Sequence, residues 1–305
     1  MIDFVGKKKL YFTISSVLIL VTLLVSVIFG VKMDIQFSGG TMITYSYDKS
    51  IDLKALETEA ETQSKQTVSV TEKTDISSGK KIVQISLSSN KGLTPEQYET
   101  LNNAILTKFK DSGLTNEGIN NVEASMGREF FLKCLMAVAV ASILMIVYIA
   151  FRFKKISGWS AGVMAVIALL HDVLMVFATF VIFRIPLDSN FMAVVLTILG
   201  YSVNDTIVIY DRLRENRKLY PKMDVAELVN LSTNQCMGRT INTSVSTLLS
   251  MVVVSIVALI FNVSSILTFS FPMIIGMISG VYSTLCIATP LWVVWQKGKN
   301  KKKKA

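Results

Sequence analysis

The chain has 305 residues, of which 51% are hydrophobic and 17% charged, and its mean hydropathy is +0.50. That composition excludes an ordinary soluble globular domain. The net charge of +9 does not point to nucleic acid either, because Lys and Arg gather in collars at the ends of apolar runs, at 7–9, 152–155, 212–218 and 297–304.

Six apolar runs reach the roughly twenty residues a bilayer span needs. They are 10–31, 130–151, 159–183, 190–210, 241–261 and 266–295. The first follows Lys7, Lys8 and Lys9, is too long for a signal-peptide core, and exits through FGVKMDI, which offers no small-residue cleavage site. Residues 1–31 therefore read as an N-terminus and an uncleaved first span. The basic collars place both termini in the cytoplasm and the segment after the first span outside.

Residues 32–127 are polar and form a separate domain. They open with Asp34-Ile35-Gln36-Phe37-Ser38-Gly39-Gly40, whose paired glycines permit a tight turn above the membrane. A strand is expected over 41–47, then a helix over 52–63 with Leu53, Leu56 and Ala60 on one face. Strands follow at 67–73 and 81–88, joined as a hairpin through Ser77-Ser78-Gly79. Thr94-Pro95-Glu96-Gln97 is a capping box opening a helix whose core face is Tyr98, Leu101, Ile105 and Phe109. A last strand, with Val122, Ala124 and Met126 alternating, returns to the membrane. The order β-α-β-β-α-β is the ferredoxin-like pattern, so the fold class is an α-helical membrane protein with one extracytoplasmic ferredoxin-like α+β domain.

The bundle occupies 128–296 and a basic cytoplasmic tail occupies 297–305. Short connections join the spans: 152–157 inside, 184–189 outside and 262–265 outside as a tight turn. A cytoplasmic segment, 211–240, separates the fourth and fifth spans, and 224–236 within it reads as a short surface helix with Val225, Leu228 and Val229 facing bilayer or bundle. The last span carries Pro272, Gly276, Gly280 and Pro290, which predict kinks and close packing. Cys134, Cys236 and Cys286 lie in or beside spans and suggest neither a disulfide framework nor a metal site. No phosphate-cradling glycine-lysine loop marks ATP as the energy source.

Three polar sites interrupt the spans. Asn204-Asp205 sits within the fourth, and a carboxylate at that depth is costly enough to be a functional candidate by default. Helical spacing puts Thr197, Tyr201, Asn204, Asp205 and Val208 on one side, expected to face other helices. Arg239, after an expected helix break at Gly238, is followed by Thr243, Ser246, Thr247 and Ser250 on its own side. A guanidinium does not practically deprotonate, so Arg239 reads either as an ordinary positive-inside anchor or as a fixed counter-charge; set near Asp205, it would leave a carboxylate held between burial and charge, able to take up and release a proton. His171-Asp172 in the third span is either a proton relay or a pair fixing helix register; adjacent residues point about 100° apart and should not face one cavity equally. Two membrane aspartates also allow an aspartyl-protease dyad, although Gly200-Tyr201-Ser202-Val203-Asn204-Asp205 lacks the usual Gly-x-Gly-Asp context. A proton-driven small-molecule exporter is the other alternative.

Residues 200–216, GYSVNDTIVIYDRLREN, closely resemble the SecF family, the smaller subunits of the bacterial SecDF secretion complex, within the resistance-nodulation-division superfamily. The resemblance extends to the opening IDFVGKKK, to Asp34 with Ser38-Gly39-Gly40-Thr41, to Leu170-His171-Asp172-Val173 and to the run from Gly238 to Ser244. Ile35-Gln36 departs mildly from the commoner Asp-Phe. The resemblance implies a non-enzymatic subunit of the bacterial cytoplasmic membrane that uses the proton gradient, without any cofactor, to pull or hold a translocating preprotein on the outer side. It implies a separate SecD partner, the SecYEG translocon with its SecA motor, YajC and the surrounding membrane lipids. It assigns proton movement to Asp205 and matches Arg239 to the family's Arg-Thr motif.

Overall fold

The computed structural model describes residues 1–74, 80–88, 92–261 and 263–304. Helix α1 (Lys8–Phe29) is apolar nearly all round and leaves Leu18, Leu20, Leu23 and Val27 exposed, as a lipid-facing helix must. Beyond it, Asp34 caps a single helical turn, α2 (Ile35–Ser38), by accepting from the Gln36 N–H at 2.9 Å. Gly39 and Gly40 then turn the chain into the sheet with φ of 79° and 140°.

The sheet domain runs β1 (Gly40–Tyr47), α3 (Leu53–Ser64), β2 (Thr67–Thr74), β3 (Lys81–Ser88), α4 (Pro95–Lys108) and β4 (Thr115–Val122). The strands lie in the order β2-β3-β1-β4 and each neighbouring pair is antiparallel. Two-residue periodicity sends Ile43, Tyr45 and Tyr47 of β1 and Val83, Ile85 and Leu87 of β3 to one face, against Leu56 and Ala60 of α3 and Leu101 and Ile105 of α4. The helices start where their caps dictate. Asp52 accepts from Lys54 and Ala55 N–H groups, and Thr94 with Gln97 completes the capping box with Pro95 in the first turn. The Ser77-Ser78-Gly79 turn and Asn262 lie outside the described residues.

The last strand differs from expectation. It ends at Val122, and Ala124 and Met126 belong to helix α5 (Ala124–Arg152). Pairing with β1 stops at Gly40↔Val122, because the residues before Gly40 are coiled into α2; the N–H groups of Met126 and Gly127 then close a helical turn onto Glu123 O.

Gly40 carries a testable cost. A Cβ there would lie 2.0 Å from the Leu87 carbonyl oxygen, at a φ that L side chains rarely adopt, whereas Gly30 (φ 68°) has nothing within 4 Å. Gly40→Ala is expected to destabilise the protein by about 3 kcal/mol or more and Gly30→Ala by only about 1 kcal/mol. Thermal unfolding in detergent checks the order; equal losses would contradict the close β1–β3 approach.

The rest of the bundle is α6 (Gly158–Ile182), α7 (Ser189–Leu219), α8 (Val225–Ile260), α9 (Ser264–Ser283) and α10 (Thr289–Lys304), the last two joined by a π turn (Thr284–Ala288). Among the described residues six helices are long and apolar enough to cross a membrane, which makes this a multi-pass membrane protein. The apolar stretches of α6 and α9–α10 are 61% and 67% buried against 11% for α1 and α5, so α6, α7 and α9 form the centre and α1, α5 and α8 the rim. Two expectations about the fourth and fifth spans fail. Helix α7 continues to Leu219, and α8 runs unbroken from Val225 through Gly238. The expected surface helix is the first third of α8, held in line because Leu228 and Val229 pack into the same core as Tyr210, Leu213 and Trp292. Likewise Ser264 and Ser265, expected in a turn, already open α9.

The sheet domain is bolted to the α6–α7 turn. Leu187 N–H donates to Lys32 O and Asp34 N–H to Leu187 O, both at 2.9 Å, around a parallel Met33↔Leu187 bridge. The Arg184 guanidinium donates to the Phe29 carbonyl and, at 3.4 Å, to that of Gly30, while Ser189 N–H donates to Gln36 Oε1 at 3.3 Å. Phe37 inserts among Phe180, Leu187 and Phe191 and stacks on Phe130 at 5.6 Å.

Candidate functional site

Helix α9 approaches its neighbours through glycines. A Cβ on Gly276 would lie 2.8 Å from Ile198 and Val176 side-chain carbons, and one on Gly280 would meet Ser202 at 3.2 Å. Small residues at this spacing let helices pack closely in lipid. Pro290 cannot donate to the Cys286 carbonyl, and the helix is rewound into a π turn immediately before it. This packing delivers Ser279 and Ser283 to Asp172.

Asp172 is fully buried and accepts three hydroxyl hydrogen bonds: Ser279 at 2.6 Å and Ser283 at 2.7 Å from α9, and Ser202 at 2.8 Å from α7. A buried carboxylate is tolerable only when so bonded. The same knot extends to Thr206 and Thr284, whose hydroxyls are 3.0 Å apart. His171, also buried, has Nδ1 at 3.4 Å from both Asp172 Oδ1 and Ser279 Oγ. Its ring lies 5.9 Å from that of Tyr282, whose hydroxyl donates to Tyr11 O of α1. Both members of the pair are internal, and their 100° offset sends them to different neighbours. Asp172 points to α7 and α9 while His171 points between α9 and α1, and the two directions are filled by different neighbours.

Asp205 is buried one helical face away, with the Ser244 hydroxyl of α8 at 3.4 Å from Oδ2. Asp172 and Asp205 share no hydrogen bond among the described residues. Arg239, on the facing helix α8, is exposed and makes no ion pair with Asp205 within 4.0 Å. The sequence reading made Arg239 the counter-charge of Asp205; the structure leaves the guanidinium at the surface.

The expected polar stripe is rotated. Thr197 and Asn204 are exposed, and Tyr201 is half-buried with a hydroxyl that finds no partner among the described residues. The inward face of α7 is instead Ile198, Ser202, Asp205, Thr206 and Ile209. On α8, Thr243 and Ser246 are exposed and Thr247 half-buried, each donating to the carbonyl four residues earlier, while Ser244 faces inward to Asp205. Asp34, Gly39 and Gly40 sit at the base of the sheet domain, away from the carboxylates. Sequence reasoning missed Ser202, Ser244, Ser279 and Ser283. It also missed Asn216, fully buried, which donates to Ser232 Oγ at 2.9 Å and Gln235 Oε1 at 2.8 Å and ties α7 to α8. The 276–283 run GMISGVYS did carry a signal, since Gly276, Ser279, Gly280 and Ser283 share one helical face.

Residues 102–298 match the family described as protein export membrane protein SecD/SecF, C-terminal. The protein translocase subunit SecF of Petrotoga mobilis is 34% identical over 100% of this chain and 99% of its own length. The subunit SecDF of Bacillus subtilis is 34% identical over 99% of this chain, which spans only 39% of it. The crystal structure of SecDF from Thermus thermophilus superimposes with a TM-score of 0.78 at 28% identity, covering 97% of this chain and 39% of that one. The chain belongs to the SecF family of protein-export membrane proteins.

Proposed function

We propose that this chain couples the proton motive force to protein export, with Asp205 as the group that takes up and releases the proton. The observation that carries the reading is Asp205 itself. It is a membrane-buried carboxylate with one long hydroxyl contact and a guanidinium on the facing helix, in a SecF-family chain. Compared with Asp172, which three hydroxyls saturate, Asp205 is weakly held and free to change charge state. A proton crossing 100 mV releases about 2.3 kcal/mol, enough to bias a two-state bundle.

The β-α-β-β-α-β order and the antiparallel β2-β3-β1-β4 sheet support a ferredoxin-like outer domain. Helices α6 and α7 carry both carboxylates, and the turn joining them holds the base of that domain, so a shift of this helix pair is passed outward as a rigid movement. The domain faces the extracytoplasmic side of the bacterial cytoplasmic membrane, the basic collars and both termini face the cytoplasm, and the domain holds the emerging preprotein. SecD is the direct partner, and SecYEG with SecA and YajC supply the channel assembly. No cofactor enters the scheme. The separate hydrogen-bond sets of the two aspartates favour this reading over a protease dyad.

Arg239 supplies the test. Arg239→Met should lower gradient-dependent export in membrane vesicles as strongly as Asp205→Asn, and the double variant should lose no more than either single one. Arg239→Lys should keep part of the response, because charge survives but the planar fork does not. Strictly additive losses would reduce Arg239 to a topological anchor.

A further inference from the structure

We propose that the groove between the α5–α6 turn, the first turns of α6 and helix α10 binds an anionic phospholipid, with Lys154 and Lys299 on the phosphate and the acyl chains along the apolar wall. The proposal rests on the bundle being embedded in a bilayer and is independent of how protons are coupled.

Two adjoining cavities of about 480 and 520 Å³ make up the groove and share Met164, Trp295 and Lys299. Phe151, Trp159, Val163 and Leu291 complete an apolar and aromatic wall. Trp159 and Trp295 are 64% and 56% exposed, whereas the third tryptophan, Trp292, is internal. Large aromatic rings left bare at a span end suit the headgroup region, where one side is apolar and the other wet.

The charges then select the occupant. At this end of the bundle Arg152 and Arg214 pair with Asp211, Arg212 with Glu215 and Lys297 with Asp224. Lys154 and Lys299, by contrast, have no carboxylate partner among the described residues, and both line the groove. The Lys154 ammonium lies 4.8 Å from the centre of the Phe151 ring at the groove's edge. Two uncompensated ammonium groups above an apolar channel match a phosphodiester carrying two acyl chains. A free anion would leave the wall in water, and a zwitterionic lipid would bring its own cation to the lysines. Basic pockets between helices at a membrane surface recognise lipid phosphates on these grounds.

The test uses the full chain in vesicles of mixed phosphatidylcholine and phosphatidylglycerol, with brominated acyl chains on one lipid at a time, read by quenching of tryptophan fluorescence. At equal mole fraction the brominated anionic lipid should quench more, corresponding to an enrichment on the order of tenfold at the groove. K154Q/K299Q should abolish that excess while quenching by brominated phosphatidylcholine stays unchanged, which also verifies that the variant is embedded. K154R/K299R should keep the excess. Should the double Gln variant fail to insert, K299Q alone is read the same way, with a partial loss expected. Equal quenching by the two lipids in the unaltered chain, an excess that survives K154Q/K299Q, or an excess removed by millimolar glycerol phosphate would each overturn the proposal. None of these outcomes bears on gradient-dependent export.

Discussion

Asp205→Asn is expected to abolish the proton-gradient-dependent component of export while translocation driven by ATP alone persists. The change is nearly isosteric, and the amide oxygen still accepts from Ser244, so the packing of α7 on α8 should survive. What disappears is the only titratable group at that position. Without it the bundle has no means of distinguishing a loaded from an empty proton site, and the roughly 2.3 kcal/mol per 100 mV available from each proton does no work on the α6–α7 pair. Export into membrane vesicles, with the gradient intact and then collapsed by an uncoupler, gives the measurement. In the variant the two rates should agree, whereas the unaltered chain should show a clear difference. A full gradient response in Asp205→Asn would remove Asp205 from the mechanism.

The spans and the sheet domain were legible because their signals are long and redundant. An apolar run such as that of α6, and the alternation Ile43, Tyr45, Tyr47 or Val83, Ile85, Leu87, each repeat one message many times. Strand β4 was misplaced because TNEGINNV has no alternation; it is a mostly exposed strand whose position is set by pairing with β1. The bundle interior was read less well for a related reason. Polarity marked Thr197 and Asn204 as inward, yet inside a membrane protein the cheap groups to bury are small hydroxyls that can bond locally or to a partner. Ser202, Ser244, Ser279 and Ser283 are unremarkable letters in the sequence, and only helix phase and the close approach at Gly280 give them their role. Helix α8 shows the same limit at Gly238. A glycine weakens a helix by about 1 kcal/mol, and the burial of Leu228 and Val229 on one side of it outweighs that cost.

Replacement of Asp172 should have the largest effect on the fold itself. Its carboxylate is the point at which α6, α7 and α9 meet, and the hydroxyls of Ser202, Ser279 and Ser283 all converge on it. Asp172→Ala leaves those donors facing a cavity with no acceptor, and each unsatisfied buried group costs about 1–3 kcal/mol. Some relief is local, since Ser283 can also donate to Gly280 O at 3.2 Å. The net loss should still be about 3 kcal/mol or more, a large part of a typical stability margin. Asp172→Asn keeps the volume and one acceptor oxygen, and the hydroxyls can turn to accept from its amide, so it should lose about half as much. Ser279→Ala and Ser283→Ala should each cost about 1 kcal/mol and should not add to the loss in an Asp172→Ala background, because the acceptor is already gone. Thermal unfolding in detergent, together with the yield of monodisperse protein, reads this series. The informative comparison is export by Asp172→Asn. If Asp172 is a tie between helices, the variant that folds should retain its gradient response, in contrast to Asp205→Asn. A well-folded Asp172→Asn protein that has lost the response would place the buried His171-Asp172 pair on the proton path, and the tie would then be the part of the bundle that changes charge.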